Sequence, residues 1–346
     1  MQRFSPQHKD RGFSLVELMV GIVVAMAAVI VVTQIFRVAE GQRRTTSGGD
    51  DAQTTGAIAI SLLQRDLRQA GQGFSNQQML DCQLRLGNGR TLSELVPVFI
   101  NPAGIPAGDD DTDVLVISYG SGWGAPEGTL INSQPGAATY AMAATQPFQM
   151  GDRVIATPSA RAANCILDLT SLAAAPVAPN VQVTLGTANV SGGALFNLGR
   201  TPRFVAYAVR SGQLTACDYL TQDCTSGDPA NWSEVADGIV SLRAEYAKDT
   251  TMPRDLSVDG YDQTSPTTWC GWSRVVGLRL VVVARNRQPE KAAVTASAPG
   301  WAGSAPISFA TSNPDWQLYR YKTFETTVPL RNVPGAGEPA FISCPP

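Results

Sequence analysis

Six cysteines are the side chains of this 346-residue sequence best suited to covalent chemistry. All of them follow the long apolar run near the N-terminus, and they are Cys82, Cys165, Cys217, Cys224, Cys270 and Cys344. An even number of cysteines, all beyond one membrane-length segment, is typical of disulfides formed in an oxidising compartment. The rival interpretation, a zinc or redox site, lacks a Cys-x-x-Cys spacing. The sequence therefore predicts disulfides; of the 15 possible pairings, proximity favours only Cys217 with Cys224.

Histidine is nearly absent, since His8 is the only one and it precedes the apolar run. If that end is removed, the remaining chain has no Ser-His-Asp or Cys-His nucleophile and no His-ligated metal site. Carboxylates concentrate at residues 109–113 and again among Asp249, Asp255, Asp259 and Asp262. Calcium is the ion that such oxygen ligands would take, but adjacent aspartates more often form a solvated turn. The sequence predicts no metal and no other cofactor.

Two tryptophans flank one of the cysteines in the segment Trp269-Cys270-Gly271-Trp272. Such a segment could stack on a sugar or form an interface, but tryptophans beside a disulfide more often build a small core. No set of residues in the chain has the composition of a catalytic site. The sequence therefore predicts a protein that is not an enzyme.

Charge is sparse, with 16% charged residues and a formal net charge of −3. Residues 1–12 carry a net +2, which leaves −5 on the remainder. No run of Lys or Arg occurs beyond Arg43-Arg44. A nucleic-acid surface needs clustered basic residues to replace the counterions of phosphates, so no nucleic-acid partner is expected.

The apolar run places these side chains relative to a membrane. Residues 18–32 contain no polar side chain, and the stretch from Phe13 to Phe36 has 24 residues. As a helix it would be about 36 Å long, enough to cross the hydrocarbon core of a bilayer. The basic residues that precede it orient the N-terminus to the cytoplasm. No small-residue cleavage site follows, so the simplest interpretation is a signal anchor with an exported domain.

Glu17 disturbs that interpretation, because an ionisable group within an apolar span costs a few kcal/mol unless it finds a partner. The surrounding residues read Arg11-Gly12-Phe13-Ser14-Leu15-Val16-Glu17-Leu18. This string resembles the signal of type IV pilins and pseudopilins. The resemblance implies that prepilin peptidase cuts between Gly12 and Phe13 and that Phe13 becomes a methylated N-terminus. It also implies that Glu17 pairs with the new amine of a neighbouring subunit, a use of buried charge that fixes register.

Beyond the apolar run the pattern changes from helical to β. A helical pattern continues over 37–73, with an interruption expected at Gly48-Gly49, because paired glycines disfavour a helix. Ile60, Leu63, Leu67 and Ala70 share one face of its second half. Short apolar runs then predict strands at 113–119, 152–156, 181–185, 204–209, 239–247, 274–285 and 319–330. In the 239–247 run, alternation places Val240, Leu242, Ala244 and Tyr246 on one face and Ser241, Arg243 and Glu245 on the other. Connections rich in Pro, Gly and Ser separate the strands at 101–112, 120–138 and 286–315.

The resemblance extends to the end of this helix and to the last strands. Residues 62–71, 235–243, 276–282 and 321–332 resemble the corresponding stretches of PilW-type minor pilins. The last of them also resembles the J-type pseudopilin of type II secretion, but the chain length favours PilW. The middle, roughly 75–200, matches only in its general β character.

The resemblance implies an α+β, pilin-like fold with a long N-terminal hydrophobic helix and a large β-rich globular head. Its expected parts are a leader at 1–12, a transmembrane and filament-core helix at 13–36, a helix continuation at 37–73 and a periplasmic head at 74–346. The expected location is the inner membrane, single-pass, and then the pilus, at its tip.

The implied function is that of a minor pilin which helps initiate assembly of a type IV pilus. Its expected partners are other minor pilins, the major pilin, a tip adhesin, prepilin peptidase and the inner-membrane assembly platform. Three alternatives stay open: a type II secretion pseudopilin, a membrane-tethered periplasmic binding module, and a tethered enzyme, which the missing histidine disfavours.

Overall fold

The computed structural model describes residues 14–74, 76–122, 124–309 and 313–332, with the backbone alone at 44–47. Its first element is one helix, α1 (Leu15–Gln69), which is continuous over 55 residues. The interruption expected at Gly48-Gly49 is therefore wrong. Helix propensity is a weak preference that tertiary packing overrides. Here Gly48 lies against Asn286, and from Ala52 onward the helix packs on the head.

The remaining elements are mostly strands. In chain order they are β1 (Gln83–Arg85), β2 (Thr91–Leu92), β3 (Val98–Ile100), β4 (Leu115–Tyr119), β5 (Thr129–Gly136), β6 (Thr139–Met142), β7 (Arg153–Thr157), β8 (Ile166–Ser171), β9 (Asn180–Gln182), β10 (Ala194–Gly199), β11 (Arg203–Arg210), β12 (Gln213–Asp218), β13 (Ser233–Asp237), β14 (Ile239–Lys248), β15 (Gly260–Asp262), α2 (Trp269–Ser273), β16 (Val275–Arg285) and β17 (Tyr321–Pro329). Two single 3₁₀ turns lie at Pro229–Asn231 and Trp316–Leu318.

Two sheets lie against α1. The four-stranded sheet has the order β15-β14-β16-β17, and α1 packs on β16 and β17. The five-stranded sheet has the order β13-β12-β11-β4-β3. One face of this second sheet joins the core beneath the helix through residues such as Leu115, Val205 and Tyr207. Its other face, with Val116 and Phe204, belongs to a second core. Both faces are covered, so β4 is buried along its whole length.

The third sheet has eight strands in the order β2-β1-β8-β7-β10-β5-β6-β9. Leu172, just after β8, forms a β-bridge with Val183, just after β9. This bridge brings β9, at the end of the sheet, beside β8, which is an interior strand. The strands between them thereby curl into a barrel around their own core, which includes Tyr140, Val154 and Val181. The segment 120–138, expected as a connection, contains β5 of this barrel.

The four-stranded sheet also departs from simple alternation. The β14–β16 pairing shifts register between Ile239 and Ser241, which is a β-bulge. As a result Ile239, and not Val240, packs into the core beneath α1 with Leu242, while Val240 packs on the opposite face. That opposite face is covered by residues within 286–309 and 313–320, where Ile307 and Phe309 pack on Val281 and Val283. The polar side of β14 is therefore buried.

Candidate functional site

The first half of α1 is apolar, and the rest of the described chain covers almost none of it. Leu15 is 74% exposed, Phe36 is 69% exposed, and the large apolar side chains between them are all about half exposed or more. None of the most apolar part of the helix is buried against the rest of the described chain. A surface of this size is stable only against lipid or other helices. By length and composition this half of the helix can span a membrane.

The predicted processing site adjoins this surface. Gly12 and Phe13 lie outside the described residues. Glu17 lies in the first turn of α1 and is exposed. A carboxylate at this end of a helix is favoured by the helix dipole. Its position leaves it open to a cation supplied by another molecule.

The second half of α1 is fixed to the head by close packing. Ala59, Leu63 and Leu67 are fully buried against the sheets. At Gly56 an added Cβ would overlap the ring of Phe324, so this ring occupies the space that a larger residue would need. Because the helix is continuous, its exposed half is held in a defined direction from the head.

Polar contacts complete this seam at three points. The Gln64 amide donates to the Thr326 hydroxyl at 2.7 Å. The Asn332 amide donates to the carbonyls of Gln69 and Ala70, both at 3.1 Å, at the C-terminal end of the helix. These contacts join the end of β17 to the end of α1.

Asp66 is a buried carboxylate on the packed face of the helix. The Tyr207 hydroxyl donates to it at 2.5 Å, and the Arg65 guanidinium donates to its other oxygen. Burial, together with the nearby charge of Asp66, raises the pKa of Tyr119 to about 12 and raises the pKa of Tyr207 further. Both phenols therefore stay protonated. Sequence analysis missed this contact, although Asp66 falls between Leu63 and Ala70 on an otherwise apolar face.

Five of the six cysteines are described, and all five are in disulfides. Cys82 is joined to Cys165, and the predicted bond between Cys217 and Cys224 is present. Cys270 is also disulfide-bonded, and Cys344 lies outside the described residues. The Cys82–Cys165 bond connects the chain before β1 to the start of β8.

The aspartates of the 109–113 loop bond to the protein around them. The Asp109 carboxylate accepts from the backbone N–H groups of Ser211 and Gly212, both at 2.8 Å. The buried Asp113 accepts from the side chains of Asn101, Arg243 and Gln263 and from the Ala244 N–H. Within the part of the chain that the structure describes, no group of three Cys, His, Asp or Glu residues is placed to hold a metal ion.

The second acidic group is organised around one member. Asp249 is fully buried, lies 3.7 Å from the Arg274 guanidinium, and accepts from the N–H groups of Thr251, Asp255 and Leu256. Asp259 instead accepts from Thr250 and Thr251. Asp262 pairs with Lys248 at 2.7 Å. These carboxylates therefore shape the loop between β14 and β15.

The tryptophan segment is mainly a core element. Trp272, in α2, is 2% exposed and makes edge-on contacts with the rings of Phe99 and Tyr246. Trp269 packs against the same core. The buried ring of Trp272 therefore has no open face for stacking on a sugar.

Comparisons with known proteins found similarity to two family models and to a solved structure. Residues 206–332 match the family described as type IV pilus-assembly protein W, and residues 7–33 match the prokaryotic N-terminal methylation motif. Among solved structures, a type IV-like pilin from Thermus thermophilus matches with 13% identity and a TM-score of 0.32, covering 83% of this chain and 97% of its own. No curated protein sequence matches significantly.

The two family matches fall on the parts of the chain that form one structural unit. The match to the methylation motif includes the exposed N-terminal half of α1 as far as residue 33. The match to the pilus-assembly family runs from β11 to Asn332, whose amide bonds to the C-terminal end of the same helix. Together the two matches support a type IV pilin of the PilW type.

Proposed function

We propose that this protein is a minor pilin that helps initiate assembly of a type IV pilus, within a complex of minor pilins at the tip. The observation that carries the proposal is the division of α1 into an uncovered apolar half and a half fixed to the head. The uncovered half supplies a stem that packs with the stems of other pilins. The rigid junction transmits its position to the head.

The stem is first held in the inner membrane with the head in the periplasm. Prepilin peptidase cuts between Gly12 and Phe13, and Phe13 is then N-methylated. Mass spectrometry of the mature N-terminus tests this step. An intact Met1, or a cut after residue 32, would contradict the pilin mechanism.

Glu17 sets the register of the stem by pairing with the amine of a neighbouring subunit. We expect Glu17→Ala to remain in the membrane, since an uncharged helix inserts more easily, but to be recovered poorly in sheared pili. Glu40→Ala is the matched control, because Glu40 lies on the same helix beyond the apolar run. Equal recovery of the two variants would refute the role of Glu17.

The size of the head favours a position at the tip. Three sheets follow the stem, and one of them forms a barrel whose core is separate from the core beneath α1. A head of this size fits best where no further subunit packs above it. We therefore expect few copies per filament, in contact with other minor pilins, the major pilin and a tip adhesin, and no enzymatic activity.

Two measurements test this placement. Immunogold labelling should mark filament ends, and labelling spread along the shaft would contradict a tip position. Deletion should abolish piliation through failed initiation, so that blocking retraction restores some pili. Normal piliation after deletion would contradict the priming role, and loss of secretion with normal pili would favour the pseudopilin alternative.

A further inference from the structure

Strand β17 is the last strand of the four-stranded sheet and is the longest edge strand in the part of the chain that the structure describes. Its nine residues pair with β16 without a bulge. The other sheet ends are shorter, with two to five residues each. An exposed edge of this length presents unpaired backbone groups that can hydrogen-bond an additional strand.

The register identifies which residues face outward. The Asn286 N–H donates to the Arg320 carbonyl before β17, and the Leu330 N–H donates to the Val276 carbonyl after it. Residues of an antiparallel strand alternate between bonding to the partner and pointing away. Even-numbered residues therefore bond to β16, and Tyr321, Thr323, Glu325, Thr327 and Pro329 point their backbone outward.

The outward groups are accessible. Thr323, Glu325 and Thr327 are exposed, and within the described residues no hydrogen bond from another element reaches their backbone N–H and C=O groups. The side chain of Glu325 accepts from the Ala302 N–H at 3.2 Å. Pro329 occupies an outward position and leaves the ladder intact, as expected for a residue without an N–H. The edge thus offers three donors at alternate residues with their matching carbonyls.

The direction of α1 limits what can bind there. Gly56 meets Phe324, Gln64 meets Thr326, and the end of α1 meets Asn332, so that helix and strand run in the same direction. Antiparallel pairing of two copies through β17 would make their stems point in opposite directions. Two stems that enter one membrane from the same side must point in the same direction, so they are incompatible with this pairing. A second copy of this chain is therefore excluded in that mode.

The C-terminal segment is also a poor occupant by composition. Residues 333–346 contain four prolines and two glycines, which are depleted in strands. A different subunit can supply the strand without either difficulty. The edge also lies beside the helix through which such a subunit would pack.

We propose that the free edge of β17 binds an extended strand from the head of a neighbouring pilin of different sequence, which adds to the four-stranded sheet. This inference rests on the proposed function, because it takes the partner to be a subunit of the same filament. The pairing would fix the rotation of one head against the other, which stem packing alone leaves less constrained.

The first test removes the outward donors in the full-length chain, produced in cells together with its major and minor pilins. Thr323→Pro/Thr327→Pro deletes two outward N–H groups and spares the bonds to β16. Thr323→Ala/Thr327→Ala is the matched control. We expect the proline variant to retain at least tenfold less of one co-purifying pilin than the alanine variant. Comparable abundance and intact Cys82–Cys165 and Cys217–Cys224 bonds would show that both variants fold.

The second test does not depend on folding of a proline variant. A photo-crosslinking residue at position 327 should give an adduct that maps to an extended segment of another pilin, and one at the exposed Leu185 should not. Unchanged recovery with the proline variant, or an adduct with residues 333–346 or with a second copy, would overturn the inference. Failure of the proposed function itself would appear separately, as normal piliation of the deletion strain.

Discussion

Single buried carboxylates determine much of the local structure of the head. Asp66, Asp113, Asp249 and Glu245 each accept hydrogen bonds from several donors or pair with a cation, which is how a buried charge is made tolerable. Glu245 on β14 is representative. One of its oxygens accepts from the Arg279 guanidinium, and the other accepts from the N–H and hydroxyl of Ser304.

We predict that this arrangement makes stability depend on pH. Burial by itself disfavours ionisation of Glu245, but the hydrogen bonds from Ser304 and Arg279 outweigh it and lower the pKa of the carboxyl below 4.5. A lowered pKa means that the stabilisation is complete above pH 4.5 and is lost as the pH falls through the folded-state pKa. In urea melts of the full-length protein in detergent, Glu245→Gln should therefore be destabilising at pH 7 and much less so at pH 3.

The comparison needs an exposed control, because other carboxyls change the pH dependence of stability in the opposite sense. Burial raises the pKa values of Asp81 and Glu94, so protonation of these groups favours the folded state as the pH falls. Glu127→Gln, at an exposed loop position, should cost little at either pH. A Glu245→Gln cost that stayed constant between pH 7 and pH 3 would contradict the prediction.

At the scale of elements, the seam between α1 and β17 depends on a small residue. Helix propensity alone favours alanine over glycine by about 1 kcal/mol in a helix interior. At Gly56 the gain is opposed by overlap with the Phe324 ring, and overpacking of this kind typically costs about 1–3 kcal/mol. We predict that Gly56→Ala lowers the melting temperature of the full-length protein in detergent.

Gly49 provides the control within the same helix, because an added Cβ there meets nothing within 4 Å. Gly49→Ala should be neutral or stabilising. Adding Phe324→Leu to Gly56→Ala should recover part of the loss, since a smaller side chain makes room at the seam. Equal melting temperatures for Gly49→Ala and Gly56→Ala would mean that the contact is not restrictive.

At the scale of the whole molecule, the disulfides close very different lengths of chain. Cys82 and Cys165 are 83 residues apart, and Cys217 and Cys224 are seven residues apart. In the chain-entropy description the longer loop gives about 4.5 kcal/mol and the shorter about 2.5 kcal/mol. We predict that Cys82→Ser/Cys165→Ser destabilises the protein more than Cys217→Ser/Cys224→Ser does.

Denaturant melts of the two double variants measure that difference. A further check is peptide mapping under non-reducing conditions, which should recover both bonds from the wild-type protein after export. Free thiols at Cys82 and Cys165 in exported protein would refute the assignment. An equal cost for the two double variants would show that loop length does not decide their contributions.

The sequence by itself determined the features that depend on neighbours along the chain. The stretch from Phe13 to Phe36 has Glu17 as its one ionisable residue and no polar side chain over 18–32. It can do little other than form a membrane-length helix, because backbone polar groups must be satisfied locally in lipid. The position of the cysteines beyond the apolar run and the β14, β16 and β17 runs were likewise readable from composition and period. So was the Cys217–Cys224 pairing, since only seven residues separate the two.

Only the tertiary structure decided features that depend on contacts distant in sequence. Packing on the head keeps α1 helical where its glycines predict a break, and a bulge moves Val240 to the face opposite Leu242. The barrel strands are short and weakly patterned, and their closure includes the Leu172–Val183 bridge between segments distant from one another in the sheet order. The free edge of β17 follows from the order of strands in a sheet, and residues of one strand carry no information about which neighbour is missing.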